Sequence, residues 1–112
     1  MPNGIETRLA VYGSLAPGKP NAHVLAALDG SWRPGIVRGR LVQKGWGASM
    51  GFPALILDSQ GDAVAVQLFE SADLAAKWPQ LDAFEGPGYR RVPTRVDAAG
   101  ETVSAYIYVL AA

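Results

Sequence analysis

TVSAYIYVL, residues 102–110, alternates hydroxyl-bearing and aliphatic side chains from Thr102 to Val109. Successive side chains of a strand point to opposite faces. Val103, Ala105, Ile107 and Val109 therefore share one side, and Thr102, Ser104, Tyr106 and Tyr108 the other. Just upstream, YRRVPTRV (89–96) is also rich in strand formers, and Asp97-Ala98-Ala99-Gly100 supplies a turn. The two segments read as an antiparallel hairpin.

Outward from this hairpin, the pattern is one of short strands broken by turns. TRLAVY (7–12) is a buried strand stopped by Gly13-Ser14, and IVRGRLV (36–42), ALIL (54–57) and AVAVQLF (63–69) are three more. Asn21 is suited to cap a short helix that carries Val24, Leu25 and Leu28 on one side and is closed by Gly30. Ser71 and Asp73 suit the first turn of a second helix, with Leu74, Trp78 and Leu81 on its inner face. Pro79 must kink that helix or begin a new one. Trp32 and Trp46 fall between elements, the latter in the long irregular stretch QKGWGASMGFP (43–53). The order is strand, helix, three strands, helix, two strands. This is an α+β chain with a mostly antiparallel sheet able to curl toward a barrel, expected to form a single domain over residues 1–112.

Composition narrows the functional classes. Ten basic and ten acidic residues balance along the 112-residue chain, so no electrostatic footprint for nucleic acid or an anionic membrane exists. There is no cysteine, which excludes disulfides, thiolate metal sites and a cysteine nucleophile, and the single histidine excludes an all-histidine metal site. No apolar run reaches the roughly 18 residues of a membrane span, and the cytosol is the expected setting. GSLAPGKP (13–20) mimics a phosphate-binding loop, but Pro20 stands where a Ser or Thr hydroxyl is needed and removes a backbone donor. The expected partner is a small molecule.

LDAFEGPGYRR, residues 81–91, carries the chemistry. If the second helix persists to Glu85, then Trp78, Leu81 and Glu85 form one inward stripe, and Gly86 ends the helix. The negative end of the helix dipole and partial burial both disfavour a carboxylate, which raises its pKa and suits it to exchanging protons near neutral pH. The alternative is a solvent-facing end residue paired with Arg90 or Arg91. Those two arginines point to opposite faces if they lie in a strand, so only one can readily serve a pocket. His23 reads as a helix-surface residue.

VYGSL (11–15) and LDAFEGPGYRR together resemble the signature of the γ-glutamylcyclotransferase-like superfamily, which includes AIG2-like proteins and γ-glutamylamine cyclotransferases. GFPAL (51–55) is similar to that family's Gly-Tyr-Pro-Ala segment, and AYIYV (105–109) to its final strand. The resemblance implies a small mixed, mostly antiparallel β-barrel with flanking short helices. It implies a cofactor-free, metal-free enzyme that releases 5-oxoproline and an amine from a γ-glutamyl amine or small γ-glutamyl peptide. Glu85 would be the catalytic acid/base, and Tyr12, Gly13, Ser14, Leu15 and Tyr89 would bind substrate. Two departures stand out: Val66 and Gln67 replace a glycine and a common glutamate, and Ala16-Pro17 replace a basic residue. They keep open a non-catalytic binding module of the same fold, or an acid/base enzyme acting on another amide.

Overall fold

Strand β2 (Ser31–Val42) is the seam on which the barrel closes. In the computed structural model, which describes residues 4–13, 18, 22–42 and 54–110, β2 runs antiparallel to β4 (Asp62–Glu70) from Ser31↔Glu70 to Gly39↔Asp62. Its other edge takes β3 (Ala54–Leu57) from Gly39 to Val42, and touches β5 (Tyr89–Ala98) through the pair Ile36↔Asp97. The remaining order is β4, β1 (Arg8–Val11), β6 (Glu101–Leu110), β5. A closed five-stranded mixed barrel results, with β3 added along β2. Among the described residues only β1 and β6 pair in parallel, Leu9↔Tyr106 and Ala10↔Ile107. Most of the chain separates these two strands, so no tight turn imposes a direction on them.

Gly35 explains why closure occurs where it does. It sits opposite Val66, and a Cβ added to it would stand 2.6 Å from Val96 Cγ1. The absence of a side chain at Gly35 thus leaves room for Val96 and the backbone of β5 to close against β2.

Strand alternation sorts the apolar residues into two layers. Ala10, Val37, Leu68, Val96, Ala105, Ile107 and Val109 fill the barrel, with Tyr12 packed against them. Leu9, Val11, Phe69 and Tyr108 point outward and are covered by Leu25, Leu74, Trp78 and Leu81 from the helices. The hydroxyl face of the last strand is therefore the face beneath the helical cover. Helix α1 (His23–Ala26) presents Leu25 to this layer and leaves His23 exposed. Asn21, its expected cap, lies outside the described residues.

Pro79 begins a new helix. A 3₁₀ turn, Ala72–Ala76, is capped by Ser71, whose Oγ accepts the Asp73 N–H at 3.1 Å. Helix α2 (Trp78–Glu85) then starts with Pro79 in its first turn, where the missing N–H costs nothing. It ends at Gly86, whose φ of 80° favours glycine and whose N–H bonds the Asp82 carbonyl at 3.1 Å. One expectation needs correcting: β2 begins at Ser31, so Trp32 is a strand residue, its ring 4.6 Å from that of Phe69. Pro34 and Gly35 interrupt the strand pattern in sequence, but proline is tolerated where only one side of the strand is paired, as Pro34 is with Gln67.

The β5–β6 hairpin turns through Ala99 and Gly100, at φ 51° and 84°. A two-residue turn of this hand suits Asn-Gly far better than Ala-Gly. Ala99→Asn is expected to stabilise the fold by about 0.5–1 kcal/mol, read as a higher urea midpoint at unchanged slope.

Candidate active site

The ends of β1, β3, β6 and α2 and the start of β5 meet at one mouth of the barrel. The parallel register of β1 with β6 carries Tyr12 to the level of the C-terminal end of β6, where Tyr89 opens β5 opposite Leu110. Tyr12 fastens this mouth. Its hydroxyl donates to the Tyr108 carbonyl at 2.7 Å and accepts the Leu55 N–H at 3.0 Å, joining β1, β6 and β3. Burial raises the Tyr12 phenol pKa, the Leu55 N–H opposes the rise, and the charges of Glu85 and Tyr89 add to it. A phenol that both donates and accepts in this way is a neutral strut, and its ring packs against the barrel core.

Glu85 is the last residue of α2 and is partly buried. Burial pushes its carboxyl up to about 7 from an ordinary 4.5, because removing water penalises the charged form. Its charge also contributes to raising the phenols of Tyr12 and Tyr108. The carboxyl is thus shielded and electrically coupled to the end of β1. Tyr89 is partly buried against the helical layer and couples to the same Tyr12. Gly13 follows directly, and among the described residues a Cβ added to it would meet nothing within 4 Å. Ser14 and Leu15, the other two expected substrate-binding residues, lie outside the described residues, as do Trp46 and residues 51–53.

Arg91, a possible partner of Glu85 in the sequence, is engaged by Asp82. Its Nε donates to Asp82 Oδ1 at 2.8 Å and a terminal nitrogen to Oδ2 at 3.2 Å, and this fork holds the Asp82 carboxyl below its usual range. The guanidinium lies 4.5 Å from the ring centres of both Trp78 and Tyr106. Tyr108 Oη donates to Asp82 Oδ1 at 2.7 Å. Arg90, one position away, is exposed. Asp82 and Tyr108 escaped the sequence reading as site-forming groups. Asp82 stands three positions before Glu85 and Tyr108 lies on the hydroxyl face of the last strand, but their pairing spans 26 residues and arises only from the packing of α2 on β6.

The closed mixed barrel with a few short helices matches the fold of known γ-glutamylcyclotransferase-like proteins. The sequence matches the family described as gamma-glutamyl cyclotransferase, AIG2-like, over residues 9–112, and the chain belongs to that family. At the family level, this membership supports a cyclotransferase-type enzyme. The crystal structure of an AIG2-like protein from Mus musculus is similar at a TM-score of 0.71 and 26% identity, covering 94% of this chain and 77% of that one. The crystal structure of YkqA from Bacillus subtilis is similar in fold at a TM-score of 0.72 and 23% identity, covering 93% of this chain but 35% of that one. A solution structure from Arabidopsis thaliana shares the fold at a TM-score of 0.65 and 24% identity, covering 92% and 61%. No curated protein matches the chain significantly. Among the described residues, no helix is long and apolar enough to cross a membrane.

Proposed function

We propose that this protein releases 5-oxoproline and an amine from a γ-glutamyl amine or a small γ-glutamyl peptide, with Glu85 as general acid/base. The observation that carries the reading is the Glu85 carboxyl, raised to about 7 by burial and coupled to Tyr12. The substrate's α-ammonium gives a proton to the Glu85 carboxylate. The freed amine attacks the γ-amide carbonyl, the new C–N bond closes the lactam ring, and the old amide C–N bond breaks. Glu85 then hands that proton to the departing nitrogen and relays to it the second one, which the ring nitrogen sheds as it becomes the lactam N–H. The amine thus leaves as an ammonium, both protons are accounted for and no water is consumed. Nucleophile and electrophile sit in one molecule, and the protein's task is to fold it, hold its α-carboxylate and move two protons from one nitrogen to the other. A carboxyl titrating near neutrality is matched to both transfers.

Gly13, Ser14 and Leu15 are proposed to hold the glutamyl part through backbone donors, with Tyr12 and Tyr89 as walls. That none of the described residues stands within 4 Å of a Cβ added to Gly13 supports a ligand approaching the backbone there. Gly13→Ala is therefore expected to leave the melting temperature unchanged while raising KM by roughly fivefold, about 1 kcal/mol, at nearly constant kcat. A panel of γ-glutamyl amines and dipeptides, assayed for 5-oxoproline, tests the activity. Formation of 5-oxoproline from at least one donor is the expected result. Absence from every donor, with a γ-glutamyl compound still bound, would favour a binding module.

A further inference from the structure

Tyr108 belongs to two bonded chains at once. Its main-chain carbonyl accepts the Tyr12 hydroxyl at 2.7 Å, and its own hydroxyl donates to Asp82 at 2.7 Å. Asp82 is one turn before Glu85 on α2, so residues three apart share that face of the helix. Asp82 is in turn gripped by Arg91, whose guanidinium lies over the edge-on pair of Trp78 and Tyr106. Tyr108 is 6% exposed while Asp82 is exposed, so the buried ring delivers its hydroxyl to a part-buried, charge-assisted bond at the edge of the helical layer.

We propose that Tyr108 is the positioning residue of this site: through its hydroxyl on Asp82 and its carbonyl under Tyr12, it sets the distance between Glu85 on α2 and Tyr12 at the end of β1. This inference rests on the cyclotransferase reading for its kinetic consequence, but not for its structural one. An arginine fork alone would hold Asp82 against β5. The tyrosine ties the same carboxylate to β6, the strand that also carries the end of β1. Two anchors on different strands fix the helix in both directions across the sheet. The titratable and charged groups gathered here, among the described residues, are Tyr12 on the end of β1, Tyr89 and Arg91 on β5, Tyr108 on β6, and Asp82 beside Glu85 on α2.

The test is Tyr108→Phe, which keeps the buried ring and deletes the hydroxyl, with Asp82→Asn as a second variant weakening the same bond from the other side. Two readouts are taken: steady-state kinetics across pH, and the NMR titration of the Glu85 side-chain carboxyl. Positioning predicts kcat lowered about 10- to 100-fold with KM little changed, and a Glu85 midpoint displaced downward as water reaches the loosened helix end. A purely structural tyrosine would lower the melting temperature and leave the Glu85 midpoint and the pH profile where they were; that result overturns the proposal. If no donor gives product in the unaltered protein, the cyclotransferase reading fails, while the NMR midpoint still decides the role of Tyr108. If Glu85→Gln is inactive but Tyr108→Phe matches the unaltered protein in kcat and midpoint, the positioning role fails and the cyclotransferase reading stands.

Discussion

Glu85→Gln is expected to lower the rate of 5-oxoproline release by about 10²–10⁴, the usual contribution of a positioned general acid/base. Glutamine keeps the shape and the hydrogen-bonding oxygen but cannot accept the ammonium proton. The same substitution should stabilise the protein at alkaline pH. The folded-state carboxyl titrates near 7 and the unfolded one near 4.5, so below 4.5 both states are protonated and no difference arises. Between those values the folded state retains a proton that the unfolded state has lost, and stability falls as pH rises. Above 7 the fold carries the full penalty of a desolvated anion, of order 1–3 kcal/mol, which glutamine avoids. Melting curves of the two proteins should coincide near pH 4 and separate by pH 8, with the variant the more stable. A variant that is less stable at pH 8 would mean that the charge is welcomed at that position.

Trp78→Ala should have the largest effect on stability, a loss of about 3–5 kcal/mol. Trp78 is 6% exposed and starts α2. Its indole N–H donates to the Glu6 carbonyl at 3.0 Å, tying the helix to the chain before β1. The ring packs edge-on against Tyr106 at 5.2 Å and floors the Arg91 guanidinium. Removing it opens a cavity in the outer layer and takes away one of the two rings beneath the Arg91 guanidinium, so Arg91, Asp82 and the end of α2 all lose support. Against a total stability of roughly 5–15 kcal/mol, the folded state becomes marginal. The urea midpoint is the measure. Trp78→Phe, which restores much of the ring but not the donor, should recover most of the loss, whereas equal midpoints for the alanine and phenylalanine variants would show that packing at this site is unimportant.

Local periodicity made the strands readable, and tertiary pairing decided what remained. The alternation in 102–110 foretold both a strand and its two faces, since Ala105, Ile107 and Val109 fill the barrel while Tyr106 and Tyr108 lie under the helices. The stripe Trp78, Leu81, Glu85 and the stop at Gly86 were likewise visible, because a helix repeats every three to four residues and glycine tolerates a positive φ. The start of β2 was hidden by Pro34 and Gly35, which look like a break until β4 is laid beside them. Closure of the barrel rests on the single pair Ile36↔Asp97 and on the absence of a side chain at Gly35, neither of which leaves a periodic trace. The site was legible only as a single acid. Glu85 announced itself by helix position, but the division of labour between Asp82, which takes Arg91, and Glu85, which sits in the dry mouth, depends on which strand the helix crosses.

Selective isotopic labelling of glutamate, with Glu85 assigned by comparison to the Glu85→Gln protein, allows its carboxyl carbon to be followed from pH 4 to pH 9. A midpoint near 7 is the predicted result, marking a side chain turned away from water beside Tyr12. A midpoint near 4.5, with the carboxyl titrating like an ordinary surface glutamate, would contradict the account.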